Sequence, residues 1–411
     1  MILNKEYTLT KYACYITNVS MAAVSNLSPL LFMTFRQMYG ISYTLLGLLV
    51  VINFSTQLLI DLIFTFFSSH FNIHKTIRTM PAITVVGLLI YALMPWLLPD
   101  SAYLWISLGT VIFSVSAGLN EVLISPIIAA IPSDNPEREM SRLHSSYAWG
   151  VVGVVVISTL FLKTVGTENW MYLALLWALI PFTGFILFAK SKLPEMNSGS
   201  SEKQNGKLIN FGIMLCFACI FLGGAAECTM TQWVSGFMEK AVGIPKIWGD
   251  ILGMALFAVL LGTARTLYSK YGKNISNVML FGMAGAAVCY LVAGLCLNPV
   301  ISLVACVITG LCVSMLWPGT LIYTEDNFPG AGVAVYALLA AGGDFGASVA
   351  PQLVGVASDL VGESAFALNL AKTLSITPEQ IGMRSGIILS AAFPLIGTIL
   401  ILLMKRYFSK K

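Results

Sequence analysis

Charge is what this chain has least of. Only 23 Lys or Arg and 19 Asp or Glu occur among 411 residues, 10% of the total, against about 25% in a soluble domain. That scarcity excludes a soluble fold whose helices all show a charged outer face. Histidine is rarer still, at three residues. No H-E-x-x-H pair, nucleophile elbow or P-loop occurs, so neither an enzyme nor a metal or other cofactor is implied. Period-two alternation is missing from the apolar runs, which excludes a membrane barrel. No cleavable leader is expected, because the first apolar run continues to about Phe35, beyond the roughly 7–15 residues of a signal core. All eight cysteines (Cys14, Cys216, Cys219, Cys228, Cys289, Cys296, Cys306 and Cys312) fall in apolar stretches, so no disulfide framework is expected. Cys216 and Cys219 form a lone C-x-x-C without the second pair that a zinc site would need.

What the chain has instead is hydrophobicity, 57% of its residues. Twelve apolar stretches recur, approximately 11–35, 44–68, 79–98, 102–131, 142–164, 170–190, 208–238, 247–269, 276–296, 299–324, 330–357 and 384–405. Each approaches the roughly 20 residues that span a bilayer as a helix. The expected fold is an all-α membrane protein of twelve transmembrane helices in two six-helix bundles. Basic residues concentrate on one side of these spans: Lys75, Arg78, Arg138, Arg142, Lys190, Lys192, Lys270 and Lys273 share it with the termini. The positive-inside rule then places both termini in the cytoplasm, in the cell membrane. The same bias accounts for the net charge of +4, so nucleic acid is not an expected partner.

The longest polar stretch runs from Lys190 to Asn210 and is rich in Ser, Gly and Asn, the composition of a flexible linker. It divides the chain into bundles at 1–190 and 210–411 with a cytoplasmic linker at 191–209. The halves echo each other. Phe67-Ser68-Ser69-His70-Phe71-Asn72-Ile73-His74-Lys75 ends span 2, and Leu267-Tyr268-Ser269-Lys270-Tyr271-Gly272-Lys273-Asn274-Ile275 ends span 8. Asn72 and Gly272 suit a tight reversal at positive φ. The outer loop before the last span, including Leu374-Ser375-Ile376-Thr377-Pro378-Glu379, is expected to hold a short helix, since Thr before Pro and Glu signals a start.

This loop pattern resembles the signature between helices 2 and 3 of the major facilitator superfamily, in a degenerate form with Ser69 at the acidic position and Asn72 for a glycine. Leu119-Asn120-Glu121 with Ser125-Pro126, then Arg142-Leu143-His144, look like the fucose permease group of that superfamily. So do Trp317-Pro318, Ala341-Gly342-Gly343-Asp344 and Val356-Ala357-Ser358-Asp359. The resemblance implies two parallel six-helix repeats around a midplane site and import of a sugar with protons. The acid that this group carries in helix 1 is missing here, where Ser25, Asn26 and Ser28 stand.

Five ionisable residues lie inside the spans: Asp61, Glu121, Glu227, Arg265 and Asp344. Each costs roughly 2.5–3.5 kcal/mol near a bilayer centre, so such groups mark polar paths or coupling sites. Glu121 shares a helical face with Ser114, Gly118 and Ser125, which makes it the first proton-coupling candidate, with Glu227 and Asp344 beside it. Asn26, Asn120, Gln232, Trp233, Trp149, Trp317 and Tyr323 are the expected substrate contacts, amides for hydroxyls and aromatics for an apolar solute face. Packing is the alternative for each aromatic. Asp61, Arg265 and His144 are expected to gate; Arg265 is placed toward span 5, bonding backbone carbonyls or a polar group near His144, and snorkelling is the alternative for both Asp61 and Arg265. The function these residues support is proton-coupled import of a sugar or similar small polar solute, by a monomer. The alternatives are a proton-driven exporter of drugs or metabolites, which lacks its usual G-P-x-x-G-G run in span 5, and a membrane sensor.

Overall fold

The computed structural model describes residues 6–67, 70–133, 136–194, 211–328 and 332–409. Among them there is helix and no strand. Every backbone polar group in a hydrocarbon layer needs an internal partner, and a helix provides one within its own segment. Eleven helices are long and apolar enough to cross a membrane, or twelve if one bent pair is counted as a span. The chain is an all-α, multi-pass membrane protein.

Packing separates two units. The first is drawn from Met1–Tyr39 and Thr56–Asn205, the second from Gly40–Ser55 and Gly206–Lys411.

The first unit contains α1 (Thr8–Tyr39), the second half of α2 (Tyr43–Phe67), α3 (Ile73–Leu97), α4 (Ala102–Ala130), α5 (Pro136–Val165) and α6 (Trp170–Lys190). Its core includes Cys14, Phe64, Ile77, Leu119, Ile127 and Phe188, all buried. Helices α3 and α4 approach as closely as backbones allow: a Cβ on Gly109 would stand 2.6 Å from the Cβ of Tyr91. Asn72 does not take the expected positive φ. It sits at φ −77° and caps α3, accepting from the Lys75 N–H at 3.0 Å; a capping side chain needs an extended backbone. In the matching loop Gly272 is extended as well, and Asn274 takes the left-handed conformation, at φ +53°. Positions Ser68 and Ser69 of the echo lie outside the described residues, as does most of the linker.

The second unit contains the first half of α2, then α7 (Phe211–Phe237), α8 (Leu256–Tyr271), α9 (Ile275–Leu295), α10 (Pro299–Val313), α11 (Leu316–Asn327), α12 (Gly332–Gly362), α13 (Ala365–Leu374), α14 (Pro378–Ser390) and α15 (Ala392–Phe408). Helix α8 is preceded by a π-helical stretch, Gly249–Ala255. Glycines set the α7–α12 contact, where a Cβ on Gly346 would fall 2.0 Å from the Phe221 carbonyl oxygen. The start of α2 is capped from α12: Asp359 accepts from the Tyr43 and Thr44 N–H groups at 3.2 and 2.6 Å. A carboxylate there meets both the free N–H groups and the positive end of the helix dipole.

Two boundaries differ from expectation. The Thr377 signal is a complete capping box, but it opens the last span itself, Pro378–Phe408, and not a loop helix. The loop helix is α13, started by Ser364 and bent 81° from α12. Span 10 is broken at Ser314 and Met315, between α10 and α11.

Candidate functional site

In the first unit the polar residues form two connected groups. Helix α1 supplies Asn18, whose amide donates to the Leu143 carbonyl at 2.8 Å and to the Ser146 hydroxyl at 3.3 Å. Asn120 on α4 donates to the Asn18 side-chain oxygen at 3.2 Å. The Asn120 Oδ1 is buried and has no hydrogen-bond partner among the described residues. An acceptor left in that state calls for a donor from water or a solute. Asn26, also expected to face solute, is buried and turns its amide back to the Ala22 carbonyl at 2.8 Å.

The next residue of α4 turns toward α2. One carboxylate oxygen of Glu121 lies within 4.8 Å of one of Asp61. Glu121 is exposed while Asp61 is buried. The expected polar stripe is only partly open: Ser114 is fully buried, and a Cβ on Gly118 would meet Ile60 and Gln57 at 3.0–3.2 Å. Access begins at Glu121. Asp61 was expected to gate; its place is beside the coupling candidate, since Asp61 and Glu121 sit at one level of two helices packed through Gly118. Trp149, expected as an aromatic wall, is 71% exposed. The side chain of His144 lies outside those described.

In the second unit the dominant feature is a charge pair. The Arg265 Nη2 donates to both carboxylate oxygens of Glu227 at 3.1 Å, and its Nε donates to the Ser314 carbonyl at 2.8 Å. These partners are a carboxylate and a backbone carbonyl of the second unit, and a backbone carbonyl is among the contacts expected for Arg265. Cys228 follows Glu227 on α7 and is half-buried. Asp344 is buried on α12, and the Trp317 ring covers the preceding residue: a Cβ on Gly343 would be 2.3 Å from it.

The remaining expected contacts divide. Trp233 is fully buried, its indole N–H donating to the Pro351 carbonyl at 2.8 Å, with Tyr43 at 6.0 Å between ring centres. It packs the helix core and offers no surface to a solute, because its donor and its faces are all taken. Gln232 is buried beside it. Tyr323 stands edge-on to Phe408 at 5.5 Å. Trp317 is half-buried, with its ring against Gly343.

Three polar clusters escaped the sequence reading. Glu139 accepts from Lys11 at 3.2 Å, Tyr15 at 3.2 Å and Arg142 at 3.1 Å, tying α1 to α5. Burial pushes its carboxyl up, but the hydrogen bonds and charges of Lys11, Tyr15 and Arg142 outweigh that and hold it below its ordinary value of 4.5. Asp250, fully buried, pairs with Lys246 at 3.2 Å and accepts from the Ser235 hydroxyl. The i,i+3 and i,i+4 spacings of Glu139–Arg142 and Lys246–Asp250 were the available signals. Arg384 is buried, has no carboxylate partner among the described residues, and donates to the carbonyls of Ala241, Gly294 and Cys296 at 3.1, 3.1 and 2.6 Å. It caps the end of α9, where free carbonyls favour a cation.

A model of the family described as Major Facilitator Superfamily matches residues 13–351. No curated protein matches in sequence. Among solved structures, a bacterial homologue of the human lysosomal transporter Spinster, inward-facing and occupied, is 13% identical with a TM-score of 0.73, covering 98% of each chain. A D-xylose-proton symporter is 12% identical with a TM-score of 0.75, over 95% of this chain and 97% of that one. A nucleoside transporter is 12% identical with a TM-score of 0.72, over 96% and 99%. At these identities the likeness is one of fold.

Proposed function

The chain belongs to the major facilitator superfamily, and from that premise we propose that it imports a sugar or other small polar solute together with protons, by alternating access of its two halves. The observation that carries this reading is the Asp61–Glu121 pair, whose oxygens approach within 4.8 Å. Two ionised carboxylates at that distance repel each other in an apolar layer, and one proton between them relieves the repulsion. Glu121 is exposed and gives the proton an entry; Asp61 is buried and shelters it. Asn120, with its buried acceptor still open, is the neighbouring solute contact. Trp317, half-buried against Gly343, the residue before Asp344, is its aromatic counterpart in the other half.

On this reading both termini are cytoplasmic, which the distribution of basic residues supports, and the protein acts as a monomer in the cell membrane. A sugar is the first class to try, because the symporter of similar fold is named for one and the nucleoside transporter's solute contains one. The test is uptake of a panel of labelled neutral sugars and nucleosides into proteoliposomes, with and without an inward proton gradient. Wild type is expected to accumulate a member of the panel only with the gradient, and Glu121→Gln to lose that dependence. Uptake indifferent to both the gradient and the substitution removes proton coupling.

A further inference from the structure

Arg265 makes one contact that charge neutralisation does not require, and it falls where the second unit's helices are broken. Pro318 has no N–H, so the carbonyl four residues earlier, that of Ser314, loses its donor within the helix. There α10 ends at Val313, and α11 starts afresh at Leu316. The Ser314 hydroxyl turns back to the Leu311 carbonyl at 2.7 Å. The donor missing at the Ser314 carbonyl comes from Arg265 Nε, at 2.8 Å. The same planar guanidinium holds both Glu227 oxygens. One side chain therefore joins a carboxylate on α7 to the break between α10 and α11. Immediately past the break, the Trp317 ring lies on Gly343, one residue before Asp344.

We propose that Arg265 is a positioning residue that makes the charge on Glu227 set the state of the α10–α11 break. With Glu227 ionised, the guanidinium is fixed from one side and its Nε is held against Ser314. When Glu227 takes a proton, the cation loses its counter-charge in an apolar layer. Its side chain is 40% exposed, so it turns toward that accessible side. The Ser314 carbonyl is then left without a donor, a costly state away from water, and the first turn of α11 loosens with Trp317 on it. The other titratable groups around Glu227 are Cys228 on α7, Asp344 on α12 and Tyr290 on α9, whose hydroxyl donates to the Ala226 carbonyl at 2.7 Å. Among the described residues none of them hydrogen-bonds to the Ser314 carbonyl, so the break answers to Glu227 through Arg265. This rests on the proton-coupled reading only for the identity of the ion.

Hydrogen exchange by mass spectrometry on the full chain in detergent, at one fixed pH, tests the relay without a solute or a gradient. Glu227→Gln imitates the protonated acid and is expected to raise exchange in peptides covering 314–322 by about tenfold, the effect of a lost hydrogen bond to a charged donor. Peptides from α9 are expected to stay as in wild type. Pro318→Ala returns an N–H to the Ser314 carbonyl, so Glu227→Gln in that background is expected to have no effect. Arg265→Gln is expected to reproduce the increase and to be suppressed by Pro318→Ala in the same way. Unchanged exchange in Glu227→Gln, or an increase that survives Pro318→Ala, overturns the proposal. A relay that holds while uptake ignores the proton gradient would keep the stitch and remove the proton; the converse result would remove the stitch alone.

Discussion

The two units treat their mid-span carboxylates in opposite ways. In the first, Asp61 and Glu121 approach each other, and spans 44–68 and 102–131 contain no Lys or Arg. In the second, Glu227 is bound by Arg265. A carboxylate beside another carboxylate is suited to taking up a proton, whereas one bound to a guanidinium ties its own charge to the position of that cation. On the proposed reading the two halves do different work: the first exchanges protons, and the second turns a change of charge into a change of shape.

The strongest way to break this comparison is mechanical. Gly346→Ala puts a Cβ 2.0 Å from a backbone oxygen of α7, while Gly153 has nothing within 4 Å of its virtual Cβ. Separating two packed helices costs about 3 kcal/mol or more. Gly346→Ala is expected to lose its monodisperse elution peak in detergent and Gly153→Ala to keep it.

Next in size is the charge contrast. Arg265→Gln leaves Glu227 without its counter-charge. Because Arg265 is partly exposed, the expected destabilisation is about 2 kcal/mol, below the value for a fully buried pair. A thermal melt should show it, and adding Glu227→Gln should recover most of the loss. In the first unit Asp61→Asn is expected to leave the melting temperature unchanged or raise it, since it removes a repulsion. A large loss there would mean that the Asp61 charge is held by an attraction.

The smallest effect is at the Glu139 cluster. A carboxyl held below its ordinary value stabilises the fold above that value, and the contribution is lost as pH falls through the lowered one. Wild type is therefore expected to lose stability as pH drops below 4.5 by an amount that Glu139→Gln does not show, about 1 kcal/mol or less for so peripheral a group. Identical melting curves for the two proteins across that range would leave the cluster without energetic weight.

The helical fold was legible in the sequence because hydrocarbon imposes one requirement on every span, and apolar length reports it directly. Which residues meet across helices was much less legible. Glu227 and Arg265 are 38 residues apart on separate helices, and their meeting depends on how each helix is rotated, which a weakly patterned apolar surface hardly encodes. Trp233 illustrates the same limit: Gln232-Trp233 reads as a solute platform, yet the indole is closed off by Pro351 and Tyr43. Pro318 was visible all along, but its meaning depended on the donor that answers the Ser314 carbonyl. The glutamate singled out from the sequence, Glu121, has Asp61 as its neighbour, a residue the sequence pointed to as a gate.

The claim that the first unit carries the proton is tested most directly by counting protons. Proteoliposomes loaded with a pH-sensitive dye, given the sugar or nucleoside that wild type accumulates, should acidify inside as the solute enters. Glu121→Gln and Asp61→Asn should each abolish that acidification, while Cys228→Ala, close to Glu227, should retain it. Acidification that persists in both first-unit variants would contradict the account.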